Sequence, residues 1–269
     1  MEETAKDLEG FVFSHEEVAD GFRFLQIRID GHLPCARPGQ FVQIRPSRTT
    51  TTTPFLRMPL SVSHVDRVGS TFGVLYDVVG PKTRALSDMN EGDRIDCLGP
   101  LGNPFPDVPD DARPVLVGGG IGVPPLLHLG THLRSTGMDP ILIIGARTAG
   151  KHLPLELLSP ASEHVRLATD DGSLGHHGFV TDLLAQALKE EDKPVVYTCG
   201  PHPMMAAVAS ATESADVRCY SSLEEYMACG FGVCVGCVVE RRTQVNSPYD
   251  QFTRVCVDGP VYDATEIVW

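Results

Sequence analysis

The sequence predicts a fold in three parts: an antiparallel β-barrel, a doubly wound parallel sheet covered by helices, and a small cysteine-rich C-terminal domain. Three observations predict it. Residues 11 to about 107 are short strands and turns, strand and helix alternate from residue 115 to residue 221, and four of the eight cysteines lie between residues 229 and 256. We expect the domains at residues 1–107, 108–222 and 223–269. A chain of this length accommodates two ordinary domains and a small third one.

The composition is that of an ordinary globular protein and limits the classes of partner. The 269 residues are 42% hydrophobic and 21% charged, as in soluble globular domains. A net charge of −13 argues against nucleic acid, because phosphates would be repelled. No apolar run approaches the length of a bilayer; 141–144 is typical of the longest. Met1–Asp7 is acidic and lacks an apolar signal region, so no secretory signal is expected.

The first domain is predicted from period-two alternation. Apolar and polar residues alternate over Phe22–Ile29 and Phe41–Arg45, and Thr71–Val79 is rich in β-formers. The run Thr49–Thr53 is too polar for a core and is expected to be an exposed loop. These segments predict a small antiparallel barrel.

The second domain begins with a strand near Val115–Val117, a glycine-rich turn and a helix over Val123–Arg134. Glycines at the start of a helix let the backbone approach phosphate groups. The turn holds Gly118, Gly119, Gly120 and Gly122. The strict dinucleotide motif fails because Val123 stands where its third glycine would be, and no acid lies near the end of the strand over 141–147.

Alternation continues with strands at 165–169, 194–199 and 217–221 and helices at 179–189 and 201–212. This pattern predicts about five parallel strands. Asp171 follows one strand at the edge where such sheets bind ligands, although Asp-Gly also marks ordinary surface turns. The segment Cys199–Pro201 follows another strand, where Cys199 could be a merely structural thiol. The adjacent His176 and His177 are interpreted as loop residues.

The cysteine pattern is the most specific signal in the chain. Cys229, Cys234 and Cys237 have the spacing C-x4-C-x2-C, and Cys256 follows, which is the ligand pattern of a plant-type [2Fe–2S] cluster. The glycines at 230, 232 and 236 let the backbone fold tightly and direct N–H groups at sulfur. A zinc site or a loop of buried thiols are the alternatives; zinc ribbons favour two C-x2-C pairs.

The other four cysteines are scattered along the chain, as buried thiols usually are. They are Cys35, Cys97, Cys199 and Cys219. This distribution indicates a reducing compartment, and we expect the cytoplasm.

The segment Arg57–Ser61 resembles the flavin-binding strand of the ferredoxin–NADP reductase superfamily. There an arginine, two residues and a Ser or Thr bind the flavin and its diphosphate, since a guanidinium clamps phosphate. In this chain Met58 occupies the arginine position and Arg57 stands one residue early. Either a bulge re-aims Arg57, or the backbone holds the diphosphate.

Further segments resemble the same superfamily: the strand at 75–77, the helix start at 82–83, the barrel-closing stretch at 98–105, the nicotinamide turn at 118–125, and the Cys-Gly-Pro beside the nicotinamide. The resemblance implies FAD contacts at Arg57, Met58, Pro59, Leu60, Ser61, Leu75, Tyr76, Asp77, Lys82 and Thr83. It implies NAD contacts at Gly118, Gly119, Gly120, Gly122, Cys199, Gly200 and Pro201, and the position at the sheet edge adds Asp171 as a candidate.

With 227–237 and 255–261, the order of segments resembles the electron-transfer subunits of dihydroorotate dehydrogenase B over nearly the whole chain. The resemblance implies FAD, a [2Fe–2S] cluster held by Cys229, Cys234, Cys237 and Cys256, and NAD as acceptor. It also implies an FMN-containing catalytic partner in a heterotetramer of two plus two, acting in pyrimidine biosynthesis. A flavin between cluster and NAD is reasonable, because it handles both one and two electrons. No catalytic residue for dihydroorotate is expected in this chain.

Two other functions stay open. Related flavin and iron–sulfur subunits, of the sulfhydrogenase or NAD(P)–ferredoxin reductase type, share all three segments and differ in their partner. A redox-sensing or binding module that has lost its flavin is the non-enzyme alternative, and Met58 is its best support. The sequence does not separate NAD from NADP, since Arg147 and Lys151 could meet a 2′-phosphate or simply be solvated.

Overall fold

The computed structural model describes residues 5–30, 35–46, 56–66, 68, 70–242, 247 and 249–269. The predicted loop at Thr49–Thr53 lies outside these residues. In the part of the chain that is described, no helix combines the length and apolar character needed to cross a bilayer.

The first domain is a closed six-stranded barrel with the strand order β1-β2-β5-β4-β3-β6. Its elements are β1 (Lys6–Ala19), β2 (Phe22–Ile29), β3 (Phe41–Pro46), β4 (Met58–Asp66), β5 (Thr71–Asp77), α1 (Pro81–Ser87) and β6 (Arg94–Leu101). All neighbouring strands are antiparallel. Alternation sets the two faces of each strand: in β3, Val42 and Ile44 belong to the barrel core, whereas Phe41 packs outside it against the C-terminal segment. The predicted barrel is confirmed.

The second domain is a sheet with the order β10-β9-β8-β7-β11-β12-β15. Its strands are β7 (Arg113–Gly119), β8 (Ile141–Ala146), β9 (His164–Thr169), β10 (His176–His177), β11 (Pro194–Cys199), β12 (Cys219–Ser222) and β15 (Val261–Asp263), and its helices are α2 (Pro124–Ser135), α3 (Leu155–Leu158), α4 (Val180–Glu190) and α5 (His202–Ser214). The five predicted parallel strands are all present. Leucines of α2 pack on one face while α4 and α5 cover the other, so the doubly wound arrangement is confirmed.

Two strands of this sheet were not predicted. The prediction that His176 and His177 are loop residues is wrong. They form β10, which pairs in parallel with the end of β9. His176 Nε2 also lies 3.0 Å from Asp182 Oδ2, at the start of α4. The other strand, β15, comes from the C-terminal segment and pairs antiparallel with β12.

The remaining C-terminal residues form a hairpin of β13 (Val238–Glu240) and β14 (Phe252–Arg254). The hairpin and the preceding cysteine loop lie against the barrel. Asn103, just after β6, donates from its side chain to the carbonyls of Val257 and Asp258 at 3.3 and 2.9 Å. The stretch predicted to close the barrel therefore also docks the cysteine-rich segment.

Candidate functional site

A cavity of about 290 Å³ opens between the outer face of the barrel and the carboxyl edge of the sheet. Seven of the ten predicted flavin residues line it: Pro59, Leu60, Ser61, Leu75, Tyr76, Asp77 and Thr83. The opposite wall comes from the glycine turn and from the segment that follows β12, with Ile121, Pro124, Leu223, Glu224, Glu225 and Met227. Segments far apart in the sequence thus converge on one site, as the resemblance implies.

Arg57, the first predicted flavin residue, does not line this cavity. Its guanidinium contacts Asp7 Oδ1 at 2.7 Å and Asp96 Oδ1 at 2.6 Å, on β1 and β6. The hydrogen bond with Asp96 raises the pKa of Arg57. Arg57 is therefore part of an ion-pair network on the outside of the barrel.

Met58 and Lys82 do not line the cavity either. Met58 begins β4 and is buried in the barrel core. Lys82 donates from Nζ to the carbonyl of Arg57 at 3.3 Å. No lysine or arginine occurs among the described residues that line the cavity, so hydroxyl and backbone groups are the donors left for a diphosphate.

The phenol of Tyr76 is held in place by a histidine of β1. His15 Nε2 lies 2.7 Å from Tyr76 Oη, and His15 Nδ1 lies 3.0 Å from the carbonyl of Met89. Since a carbonyl only accepts, we assign the ring proton to Nδ1, and Tyr76 then donates to Nε2. Burial lowers the pKa of His15 and raises the pKa of Tyr76. Both side chains are therefore neutral at physiological pH.

The turn before α1 is shaped by Thr83. Its hydroxyl accepts from the backbone N–H groups of Val79 and Gly80 at 3.0 and 3.1 Å and donates to the Gly80 carbonyl at 3.2 Å. At the edge of the cavity, Asp77 contacts Lys151 of the second domain at 3.6 Å. Thr83 therefore acts on the shape of the turn, and Asp77 ties the barrel to the sheet.

The glycine turn and the Cys-Gly-Pro turn are packed against each other at the carboxyl edge of the sheet. A Cβ at Gly122 would overlap the backbone of Gly200, and one at Gly119 would overlap Met204. Gly120 has φ +53° and open space around it. Glycine at 122 is therefore required by close approach, and at 120 by conformation.

Asp171 lies at the same edge, directly after β9. Its Oδ1 accepts from the N–H of Ser173 at 3.0 Å and from the Ser173 hydroxyl at 2.5 Å. The hydroxyl hydrogen bond lowers the pKa of Asp171. Asp171 therefore lies in a surface turn, and this turn lies at the edge of the sheet where ligands are expected to bind.

The sequence interpretation missed the segment after β12. Glu224 and Met227 line the cavity, and Cys199 Sγ contacts Glu224 Oε1 at 3.9 Å. Glu224 is solvent-accessible from the cavity, and desolvation by the surrounding protein raises its pKa. The available signal was position: Leu223 directly follows the last parallel strand, where ligands of such sheets bind.

The four predicted cluster ligands lie together as two pairs. The backbone N–H of Cys234 donates to Cys229 Sγ at 3.4 Å, and the backbone N–H of Cys256 donates to Cys237 Sγ at 3.4 Å. Among the residues that the structure describes, no three His, Cys, Asp or Glu side chains converge on a single metal ion. A two-iron cluster takes two thiolates on each iron. The pairing therefore fits the cluster.

The loop that joins these cysteines turns backbone donors toward sulfur. Gly230, Gly232 and Val235 all have positive φ, at +81°, +86° and +55°. Desolvation opposes ionisation of Cys229, but hydrogen bonds, first among them those from the backbone of Cys234 and Phe231, lower its pKa to about 6. A thiol that ionises readily is suited to iron ligation.

The outer side of this loop is apolar and exposed. Phe231, Val233 and Val235 are 53%, 74% and 55% exposed. Tyr249 and Phe252 of the neighbouring hairpin are exposed as well. Several exposed apolar side chains on one loop are typical of a protein-binding surface.

Two larger cavities, of about 590 and 650 Å³, lie away from these motifs. The first borders β15, and the second lies between the barrel and α2. Neither contains a predicted flavin, nucleotide or cluster residue, so size alone does not identify the site.

The fold has close relatives among solved structures. A structure of an NADH-dependent reduced ferredoxin-NADP oxidoreductase is 30% identical, with a TM-score of 0.84 over 100% of this chain and 92% of that one. Phthalate dioxygenase reductase shares the fold at 17% identity and a TM-score of 0.63, over 93% of this chain and 94% of the other. The barrel, sheet and cysteine loop thus define a reductase-type electron-transfer protein with an iron–sulfur domain.

Sequence relatives identify the family. Residues 224–268 match the iron-sulfur cluster binding domain of dihydroorotate dehydrogenase B. The dihydroorotate dehydrogenase B (NAD(+)) electron transfer subunit of Listeria monocytogenes is 40% identical over 86% of this chain and 87% of its own length. That of Geobacillus kaustophilus is 39% identical over 91% and 93%. The chain belongs to the family of dihydroorotate dehydrogenase B electron transfer subunits, and the predicted family is confirmed.

Proposed function

We propose that this chain carries electrons from an FMN-containing dihydroorotate dehydrogenase subunit through a [2Fe–2S] cluster and FAD to NAD+, in pyrimidine biosynthesis. Membership of the electron-transfer family supports this role. We further propose that the chain works in the cytoplasm, a proposal that rests on the scattered thiols.

The observation that carries this proposal is the contact between the cysteine loop and the flavin cavity. Phe41 of β3 lines the cavity. Gln43, two residues further along the same strand, packs against Gly230, which directly follows Cys229. Met227, two residues before Cys229, also lines the cavity. An electron carrier bound by these cysteines would therefore neighbour a flavin bound in the cavity.

The residues around the cavity fit a flavin. Pro59 and Leu60 are partly exposed and offer apolar surface to an isoalloxazine, and Ser61 offers a hydroxyl. The turn at Thr83 can hold the diphosphate through backbone N–H groups. Bound there, FAD would supply the chemistry that connects a two-electron hydride exchange with NAD to single-electron exchange with the cluster. The protein supplies the position and limits the access of water.

We propose NAD rather than NADP as the nucleotide. The edge that follows β9 presents Asp170 and Asp171, whose carboxylates would repel a 2′-phosphate. Lys151, a candidate cation for that phosphate, instead contacts Asp77 at 3.6 Å and lies over the ring of Phe22 at 4.6 Å. The KM for NADPH should therefore exceed that for NADH, and equal values would contradict the assignment.

We propose that the exposed apolar residues around Phe231 bind the FMN subunit, in a heterotetramer of two plus two. An acidic chain of net charge −13 with an apolar surface over the cysteine loop favours a protein partner at that position. The partner would exclude water from the cluster where the two chains meet.

Cofactor analysis tests the electron-transfer chain directly. Anaerobically purified protein should be yellow-brown and hold about two iron and two sulfide per chain, together with FAD. Cys234→Ser should lose most of the iron and keep FAD, because Cys234 does not line the flavin cavity. Cys219→Ser, at a buried thiol outside the loop, is the matched control and should keep both. Stoichiometric zinc without iron would refute the cluster.

Activity assays with and without the FMN subunit distinguish the role of this chain from that of its partner. The isolated chain should reduce artificial acceptors with NADH and leave dihydroorotate untouched, because an FMN barrel of the usual kind needs about 250 residues, and neither the six-stranded barrel nor the sheet of this chain has that fold. Addition of the FMN subunit should give NAD-dependent oxidation of dihydroorotate. Oxidation of dihydroorotate by the isolated chain would contradict the division of labour.

A second candidate function is that of an NADH-linked ferredoxin–NADP oxidoreductase subunit. It is favoured by the TM-score of 0.84 over the whole chain. The two candidates differ only in the partner. Co-purification from the native host should therefore yield an FMN barrel protein under the first proposal and a different redox subunit under the second.

The non-enzyme alternative is a binding or redox-sensing module without flavin. It is supported by Met58 and by the acidic cavity, where Asp77, Glu224 and Glu225 are found. A purified protein with the visible absorption of a bound flavin, bleached by NADH, would reject it.

A further inference from the structure

Gln43 is a polar side chain fully buried where the barrel meets the cysteine loop. It lies in the middle of β3 with 0% of its surface exposed. Within the described ranges, neither its Oε1 nor its Nε2 has a hydrogen-bond partner. A buried amide in this state is rare and costly. The side chain therefore calls for a partner that the chain itself does not supply.

The direction of the side chain follows from the pattern of β3. Val42 and Ile44 point into the barrel core, so Gln43 points outward, on the same face as Phe41. The surface it reaches is the cysteine loop. A Cβ built on Gly230 would lie 2.5 Å from Gln43 Nε2 and 2.7 Å from its Cγ. Gly230 is thus in direct contact with the amide, and only glycine fits there.

The flavin cavity also borders β3, but the amide of Gln43 does not reach it. Phe41 on the same strand and Pro59, the cross-strand partner of Gln43, both line the cavity. Gln43 itself is not part of the lining. Its observed neighbour in the cysteine loop is Gly230, which directly follows Cys229, so the amide faces the side of the loop on which a bound cluster would lie.

We propose that the side-chain N–H of Gln43 donates a hydrogen bond to an inorganic sulfide of the [2Fe–2S] cluster, beside Cys229, and thereby raises the reduction potential of the cluster. This rests on the proposed function, which supplies the cluster. Reduction adds one negative charge to the cluster, and donors to its sulfurs stabilise that charge. Gln43 is a positioning and tuning residue of the barrel that acts on the cluster.

Removal of the donor tests this inference by a measurement other than activity. In the holoprotein, Gln43→Met keeps the length of the side chain and removes its N–H. An EPR-monitored redox titration should give a cluster potential more negative than that of the unchanged protein. An unchanged cluster potential, or a shift confined to the flavin, would overturn the proposal.

Gln40→Met is the matched control, three residues earlier in the chain. Gln40 has protein partners for both amide atoms: Oε1 accepts from Arg37 N at 2.9 Å, and Nε2 donates to the Gly102 carbonyl at 2.7 Å. This variant should lose thermal stability and keep the cluster potential. An equal shift in both variants would overturn the specific role of Gln43.

A second measurement needs no substitution. Holoprotein labelled with 15N in glutamine side chains should show a nitrogen hyperfine coupling to the reduced cluster in pulsed EPR. Absence of that coupling in protein with a full complement of iron and sulfide would overturn the inference alone. Absence of the cluster itself would instead overturn the proposed function, so the two failures are distinguishable.

Discussion

At position 57 the guanidinium contacts carboxylates of two other strands, Asp7 at 2.7 Å and Asp96 at 2.6 Å. Arg57→Ala should therefore lower the free energy of unfolding by about 1–2 kcal/mol, since the network is only partly buried. FAD affinity should stay unchanged, because Arg57 does not line the cavity. Urea denaturation and FAD titration measure the two effects separately.

The control for Arg57 is another ion pair on the barrel. Arg94 lies 3.8 Å from Glu9, and both side chains are highly exposed, so Arg94→Ala should change stability by less than about 0.5 kcal/mol. If Arg57→Ala instead weakened FAD binding by about 1.5–3 kcal/mol, the worth of a charged hydrogen bond, then Arg57 would hold the diphosphate in place of Met58.

Val235 is a β-branched residue in the left-handed region, with φ +55°. This conformation costs a non-glycine residue about 1–2 kcal/mol. Val235→Gly should retain the cluster and raise the thermal stability of the loaded chain. Val238→Gly, at an exposed position in β13, should lower stability because glycine weakens a strand. Loss of iron in Val235→Gly would show that the valine side chain itself protects the cluster.

At the scale of elements, the nucleotide edge depends on two turns that touch. Gly122→Ala places a methyl group against the backbone of Gly200 and should separate the turns. We expect a stability loss of about 2–3 kcal/mol, as for overpacking, together with weaker NADH binding by titration. Gly120→Ala meets no neighbour and should cost only the conformational strain of about 1–2 kcal/mol. Similar losses for both would contradict the packing argument.

Helix α2 packs on β4 through a buried histidine, His128. Desolvation, followed by the charges of His64 and His132, lowers its pKa from 6.5 to about 4. Between these values the unfolded chain binds a proton that the folded chain does not, so stability is lost as pH falls from 6.5 to 4. The loss reaches about 1.4 kcal/mol per pH unit.

Denaturation at several pH values checks this dependence. His128→Gln removes the titrating group and should flatten the profile between pH 6.5 and 4. His132→Gln, at an exposed position of the same helix, should keep the slope. An unchanged slope in His128→Gln would assign the pH dependence to other buried histidines.

At the scale of the whole molecule, the exposed surface over the cysteine loop governs assembly. Phe231→Asp places a charge in this apolar surface and should weaken binding of the FMN subunit, which ultracentrifugation can measure, while NADH–acceptor activity is spared. Leu155→Asp, on exposed α3 of the sheet domain, is the control and should leave assembly intact. If both variants bound the FMN subunit equally well, the interface would lie on another surface of the chain.

Local patterns were sufficient to predict much of this architecture. The alternation over Phe22–Ile29 and the apolar run at 194–199 coincide with β2 and β11. Both could be predicted because the burial of one or both faces of a strand determines the polarity of its successive residues. The cysteine spacing predicted the iron–sulfur domain because ligands must recur at distances that a tight loop permits.

Long-range contacts were beyond such patterns. β15 is three residues long and exists as a strand because β12 offers it an edge. The cavity wall at Glu224 and Met227 depends on where the chain goes after the sheet. Arg57 could point to a phosphate or to a carboxylate by sequence, and the choice depends on Asp7 and Asp96, which other strands bring beside it.

The pairing of β15 with β12 has a consequence for electron flow. Tyr262 and its neighbours join the iron–sulfur segment to the nucleotide sheet through three residue pairs, while Asn103 and Gln43 join it to the barrel. A swing of one domain away from another would break strand pairing or bury fewer apolar side chains. We therefore expect the three segments to move as one body, so that distance and driving force, and not a diffusional search by a tethered domain, set the rate of electron transfer.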